Sequence, residues 1–304
     1  MNVDWIAVDW GTTHLRVWAM SSQDQVIAQA SSDQGMGGLA PSQFEGALLK
    51  LIDPWLDNNS ELTVIACGMV GSRQGWQEAP YAQFNKSMSS SAVWVKTIDP
   101  RLRIAILPGV CQLAPPDVMR GEETQILGAL TLEPNFEGML CLPGTHTKWA
   151  KVKNGQLVNF KTCMTGEIFG LLSSSSVLSH SVSGSVMDMP SFREGVLKVF
   201  SEPHSLSSNL FAIRAEDMLN QLDSTVSRAH LSGYLIGSEL AGIFSEHSLT
   251  SETLLIGSEQ LSELYETALD AIGKPTRIIS GEHCTLTGLV KAKADLISDP
   301  ISLS

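Results

Sequence analysis

Two short segments place a glycine and hydroxyl side chains directly after an apolar run: VDWGTTHLRVW, with Asp9, Gly11, Thr12 and Thr13, and LCLPGTHTKW, with Gly144, Thr145, His146, Thr147 and Lys148. Backbone amides opened by a glycine, helped by hydroxyls, can cradle phosphate oxygens, and an adjacent carboxylate such as Asp9 can hold Mg²⁺ through water. Either turn alone reads equally well as an ordinary hairpin. Their repetition carries the weight, because two such loops facing each other across a cleft grip both ends of a triphosphate. Lys148 adds a cation to the second turn, and His146 a donor for phosphate or substrate.

Phosphoryl transfer also needs a carboxylate that can take the proton of the attacking hydroxyl. Glu122 and Glu123 open the helical pattern RGEETQILGAL, one element before the second turn. Adjacent helical residues point about 100° apart, so only one of the two can face a site, and Glu122 is slightly preferred. The competing reading makes both of them first-turn acids stabilised by the helix dipole. A substrate carboxylate calls for a guanidinium fork. Arg73, in the glycine-rich GMVGSRQGW, is the first choice, and Arg16 is the second unless it is a surface strand residue. Trp76 either walls that pocket or packs in the core. QGMGGL at 34–39, which contains Gly37, lacks the strand-to-helix setting of a dinucleotide loop and reads as a substrate-side loop. In MTGEIFGLL, Thr165 and Glu167 line the site, or Glu167 only caps a helix.

These segments need a scaffold. Apolar, β-prone runs at 3–9, LRVWAM and QVIAQA read as a meander, and PSQFEGALLKLIDPWL as a helix opened by a Ser42/Glu45 capping box. TVIACGMV and RIAILPGV add strands, and GMLCLPG, THTKWAKVKNG and QLVNFKTCMTG repeat the opening meander. The echo predicts a duplicated α/β architecture whose domain change falls near residues 115–135, drawn as 1–120 and 121–304, with the last helix packing back on the first domain. The serine-rich LLSSSSVLSHSVSGSVMD reads as an irregular lid or connection, not a separate domain.

Bulk properties limit the alternatives. A chain of 304 residues suits two domains, with 43% hydrophobic and 17% charged residues. A formal charge of −12 and no Lys/Arg run argue against nucleic acid as a partner. Five scattered cysteines without metal or CxxC spacing, no leader-like N-terminus and no long apolar run predict a cytoplasmic protein outside the membrane. Whether it forms a homodimer is left open.

The paired turns resemble the phosphate hairpins of the actin, hexokinase and heat-shock-70 ATPase superfamily, and LLIGSEQLSELYETAL, with Gly257 and Ser258, resembles its adenosine motif. In combination, VDWGTTHLRVW, CGMVGSRQGW, LPGTHTKW and MTGEIFGLL resemble the 2-dehydro-3-deoxygalactonokinase family. The resemblance implies an α/β, two-domain actin-like ATPase fold (ribonuclease H-like) with its active site in the interdomain cleft. It also implies MgATP-dependent phosphorylation of 2-dehydro-3-deoxy-D-galactonate at its terminal hydroxyl, giving the 6-phosphate in galactonate catabolism. Rival readings are a kinase of another sugar acid or a neutral sugar, an exopolyphosphatase-like phosphohydrolase suggested by the Glu122/Glu123 helix, and an ATP-switched binding protein. A polymer hydrolase would need a basic channel that the sequence lacks, and a repressor-type sugar kinase would need a zinc cysteine cluster. The serine-rich stretch and Ser258-Glu259 depart from the family pattern.

Overall fold

Alternation along the first strand decides how the first unit is layered. In a computed structural model that describes residues 2–58, 60–84, 91–246 and 252–298, β1 (Trp5–Trp10) is buried on both faces. Ile6, Val8 and Trp10 enter one apolar cluster with Phe44, Leu48 and Ile52 of α1 (Phe44–Ile52). Trp5 and Ala7 enter another with Leu289, Ala292 and Leu296 of α8 (Gly281–Ser298). Successive strand side chains point to opposite faces, so Asp9 continues the Trp5/Ala7 row and ends it with a carboxylate.

Around β1 stand β2 (Leu15–Met20), β3 (Val26–Ser32), β4 (Leu62–Gly68), β6 (Val93–Val95) and β7 (Leu102–Ile106), in the order β3-β2-β1-β4-β7-β6. The first three form an antiparallel meander, whereas β4 and β7 join parallel to β1. A small sheet of β5 (Ala82–Gln83), β8 (Val110–Leu113) and β9 (Pro116–Met119) leads into α2 (Glu122–Leu132). The helices α2 and α8 touch backbone to backbone: a Cβ on Gly128 would lie 1.8 Å from the Cys284 carbonyl oxygen, and one on Gly288 2.0 Å from that of Thr124. Only glycine fits at either position.

The second unit repeats the plan with β10 (Gly138–Leu142), β11 (Thr147–Lys153), β12 (Gln156–Cys163), β13 (Thr253–Gly257) and β14 (Thr276–Ser280), in the order β12-β11-β10-β13-β14. Its meander is again antiparallel, and its last two strands are again parallel to the first. Between β12 and β13 come α3 (Thr165–Ser175), α4 (Met189–Ser201), α5 (Leu206–Asn220) and α6 (Ser224–Glu246), and α7 (Glu259–Ala271) joins β13 to β14. Met139, Cys141, Trp149 and Leu255 of the sheet pack under Phe192, Val196, Ile236, Leu240 and Leu269.

The chain divides into Met1–Asn135 with Gly281–Ser304, and Phe136–Ser280. The boundary therefore falls after α2, not at residue 120, because α2 is packed on α8. Two local expectations change as well. Gln43, not Ser42, precedes α1, and the Glu45 carboxylate accepts from the amides of Ile98 and Asp99 at 2.7–3.0 Å instead of closing a capping box. The serine-rich stretch is half helical, since α3 runs to Ser175 and a 3-10 turn covers Val177–His180, with the Ser174 and Ser176 hydroxyls donating to carbonyls one turn back. All five cysteines are free. No helix among the described residues is long and apolar enough to cross a membrane.

Candidate active site

In the first unit, strand register assembles the site. Asp9 and Arg16 face each other across β1 and β2, and Asp9 lies beside Cys67 across β1 and β4. The Arg16 guanidinium donates to the Asp9 carboxylate, its other arm is 3.9 Å from Glu282, and the Cys67 thiol points at Asp9 from 4.0 Å. Burial pushes the Asp9 carboxyl up from its usual range, and Arg16 partly offsets this. Arg16 is therefore engaged with the candidate metal ligand, a pairing set by the strand register, and stays partly exposed.

The turn carrying Gly11, Thr12 and Thr13 is held from outside. The amides of Gly35, Met36 and Gly37 donate to the carbonyls of Thr13, Gly11 and Thr12 at 2.9–3.0 Å. A Cβ on Gly35 would sit 2.2 Å from the Thr13 carbonyl carbon, so the approach requires glycine. QGMGGL, including Gly37, is thus the brace of this turn. Thr12 and Thr13 remain exposed. Arg73 is exposed just beyond the end of β4. Trp76 is half-buried and packs against the core, its ring stacked on Phe44 and edge-on to Trp10, each at 6.1 Å between centroids.

Glu122 and Glu123 both turn back on the amides that start α2: Glu122 accepts from Arg120 at 3.1 Å and Glu123 from Gly121 at 2.6 Å. They differ in exposure. Glu122 is half-buried, whereas Glu123 is 4% exposed and also accepts from the Thr124 hydroxyl. Burial first, and the neighbouring Glu122 charge second, push the Glu123 carboxyl up to about 8. At neutral pH it holds a proton.

This predicts a pH dependence of stability. The folded state binds the proton more tightly than the unfolded chain, so the contribution is complete below the unfolded value of 4.5 and is lost as pH rises toward 8. Urea midpoints should fall across that window, with a slope up to about 1.4 kcal/mol per pH unit from this group, and Glu123→Gln should flatten it. An unchanged slope in the variant would show that Glu123 ionises normally.

In the second unit the turn after β10 is tied to the start of α3. The Glu167 amide donates to the Thr145 carbonyl at 2.9 Å, and the Glu167 carboxylate meets His146 Nε2 at 2.5 Å. A Cβ on Gly166 would lie 2.4 Å from the Gly144 carbonyl oxygen. Gly144 itself has open space where a Cβ would point, and Thr145 is exposed. Lys148 is buried and donates to the His146 carbonyl at 3.1 Å. Gly257 ends β13 beside Pro143, and Ser258, exposed, precedes α7.

Two expected ligands are used internally. The Thr147 hydroxyl is fully buried and bonded to Tyr265 Oη at 2.9 Å, and the Thr165 hydroxyl donates to Glu239. Thr147 is thereby removed from the surface, while Thr165 still lines the cavity described below with its hydroxyl turned to Glu239. Glu239, 7% exposed on α6, accepts also from Trp149 Nε1 at 2.7 Å and Tyr265 Oη at 3.0 Å. Burial pushes its carboxyl up to about 6 against the pull of those donors. This carboxylate fastens β11, α3 and α7 to α6 beneath the turn, and no local motif marked it. A cavity of about 550 Å³ opens above it, reaching from Gly144 and Thr165 to Gln260 of α7.

Comparison with known proteins agrees with this arrangement. The family described as 2-keto-3-deoxy-galactonokinase matches residues 9–292. The Escherichia coli (strain K12) 2-dehydro-3-deoxygalactonokinase is 30% identical over 295 residues, 95% of this chain and 97% of that protein. A Rhizobium meliloti (strain 1021) protein named "Probable 2-dehydro-3-deoxygalactonokinase" is 35% identical over 296 residues, 94% and 95% of the two chains. A Sinorhizobium meliloti crystal structure, provisionally assigned the same activity, superposes with a TM-score of 0.91 at 33% identity, covering 97% of this chain and 100% of the other. The Acidaminococcus fermentans (R)-2-hydroxyglutaryl-CoA dehydratase component A shares the fold alone, with a TM-score of 0.53 at 11% identity over 98% and 100% of the chains. With two sheets that share a five-strand order, the paired turns that end β1 and β10, and a family match across nearly its whole length, the chain belongs to the 2-keto-3-deoxy-galactonokinase family.

Proposed function

We propose that the protein is a cytoplasmic kinase that transfers the γ-phosphoryl group of ATP to the terminal hydroxyl of 2-dehydro-3-deoxy-D-galactonate, giving the 6-phosphate and ADP. The observation that carries this reading is the recurrence of a glycine-hydroxyl turn at the same place in both units, after β1 and after β10. The Gly144–Thr145 turn, with Lys148 behind it, takes phosphate oxygens through its amides, and the Gly257–Ser258 strand end takes the adenosine. Thr12 and Thr13 serve phosphate in the same way in the first unit. His146, held by Glu167, donates to a phosphate oxygen.

The hydroxyl oxygen of the sugar acid attacks phosphorus in line, the bond to the bridging oxygen of ADP breaks, and the proton passes to Glu122. Among the two first-turn acids, Glu122 is the reachable one, whereas burial holds the Glu123 carboxyl protonated. Arg73, exposed and without an ion pair to any described residue, is the fork for the substrate carboxylate. Mg²⁺ fits the site in the manner usual for nucleotide-bound magnesium, which takes one or two carboxylates and keeps its waters. Asp9 is one such carboxylate, and the ion would neutralise charge on the phosphate oxygens.

The test is consumption of ATP with a panel of acceptors: 2-dehydro-3-deoxygalactonate, other 2-keto-3-deoxy sugar acids, neutral hexoses and polyphosphate. Turnover with the named acid, and its loss on Arg73→Ala through a raised KM, is the expected result. Turnover with neutral hexoses alone would overturn the substrate and the Arg73 role together. Release of phosphate from polyphosphate without an acceptor would favour a phosphohydrolase.

A further inference from the structure

We propose that Arg228 seats the base of the nucleotide by stacking its guanidinium on the ring, so that the second unit selects purine over pyrimidine triphosphates without reading the purine's 6-substituent. The inference rests on the kinase reading and names the part of the nucleotide that this cavity takes. Its volume, about 550 Å³, falls in the range of small-ligand sites. The wall includes Gly144 of the phosphate turn at one end and Gln260, two residues beyond Ser258, at another. A nucleoside in this space would therefore have its phosphate end beside the turn and its base deeper, among the side chains of α3 and α6.

At that depth the chemistry is specific. Arg228 contributes the cationic side chain of the lining, and Phe169, Leu235, Ile236 and Leu264 contribute apolar surface. The guanidinium carbon of Arg228 lies 4.8 Å from the centroid of Phe169. Its only described hydrogen bond is a long one, Nη1 to the Val182 carbonyl at 3.4 Å, and its Nε is buried without a partner. An arginine paired to a carboxylate would be spoken for; this one is anchored by a ring and a single carbonyl. A planar guanidinium supported by one π system is suited to stack on a second.

The polar groups near it explain the breadth of the selection. Ser232, one turn along α6 from Arg228, and Gln260 both line the cavity. A hydroxyl and a carboxamide can each donate or accept, so they serve a 6-amino and a 6-oxo purine alike. Stacking overlap grows with ring area, which is smaller in a pyrimidine than in a purine.

The experiment uses the full chain, with fluorescence binding of N-methylanthraniloyl-ADP and steady-state kinetics with ATP, ITP, GTP and CTP. Stacking lost in Arg228→Ala should weaken ADP binding by about tenfold or more, with the sugar-acid KM held within about twofold. Arg228→Lys, which keeps the charge and loses the plane, should recover little of it. ITP and GTP should be used within about fivefold of ATP, and CTP should be poorer than any of the three. Wild-type affinity in both variants, or CTP used as well as ATP, overturns the proposal. If Arg228→Ala does not fold by circular dichroism, Arg228→Lys decides the same question. Tight ADP binding that needs Arg228, with no phosphorylation of any sugar acid, would leave this inference standing and remove the kinase reading.

Discussion

Asp9→Asn should lower turnover of the sugar acid by about a thousandfold, equivalent to about 4 kcal/mol on the barrier, with circular dichroism and the thermal midpoint little changed. The amide keeps the shape and one acceptor oxygen but loses the negative charge that would hold the magnesium waters. Arg16 offers the control. If Asp9 served only as its ion-pair partner, Arg16→Met and Asp9→Asn would damage the enzyme equally. On the metal reading Asp9→Asn is far worse, and raising Mg²⁺ concentration partly restores it. Equal losses in the two variants, insensitive to Mg²⁺, would remove Asp9 from the metal.

The second large effect separates adjacent carboxylates. Glu122→Gln should reduce kcat by about 10²–10⁴-fold, the usual worth of a positioned base. Glu123→Gln should keep activity within about fivefold at pH 7, because a carboxyl pushed up to about 8 is already neutral there and an amide replaces it closely. The accepting oxygen for the Gly121 amide survives in that change. A reversed order, with Glu123→Gln inactive and Glu122→Gln active, would move the base by one residue and leave Glu122 as a helix cap.

Much of the scaffold could be read in advance because its signals are local. The two meanders come from period-two apolar runs, and the turns from glycine beside threonine. The site's interior was less legible. Thr147 and Thr165 look like ligands in the sequence, but their hydroxyls are committed to Tyr265 and Glu239, residues 118 and 74 positions away. Glu239 sits inside the α6 pattern HLSGYLIGSELAG with nothing nearby to mark it, since its donors come from β11, α3 and α7. Arg16 could have been paired with Asp9 from the hairpin register alone: a four-residue loop, Gly11–His14, pairs Trp10 with Leu15 and so sets Asp9 and Arg16 opposite each other. Gly35 and Gly37 could not, because the brace they form depends on a loop returning to a turn more than twenty residues earlier.

The membership of α8 in the first unit bears on how the protein is made. Trp5, Ala7, Trp18 and Met20 share their cluster with Leu289, Ala292 and Leu296. During translation the leading 135 residues carry only α2, through Leu127, against that face of their sheet, and the α8 part of its cover is synthesised after the whole of the second unit. The second unit, Phe136–Ser280, is contiguous and has all its own strands as soon as it emerges. The order of birth and the order of completion are therefore inverted: the unit whose first strand is made first lacks its last packing element until the other unit has been made in full.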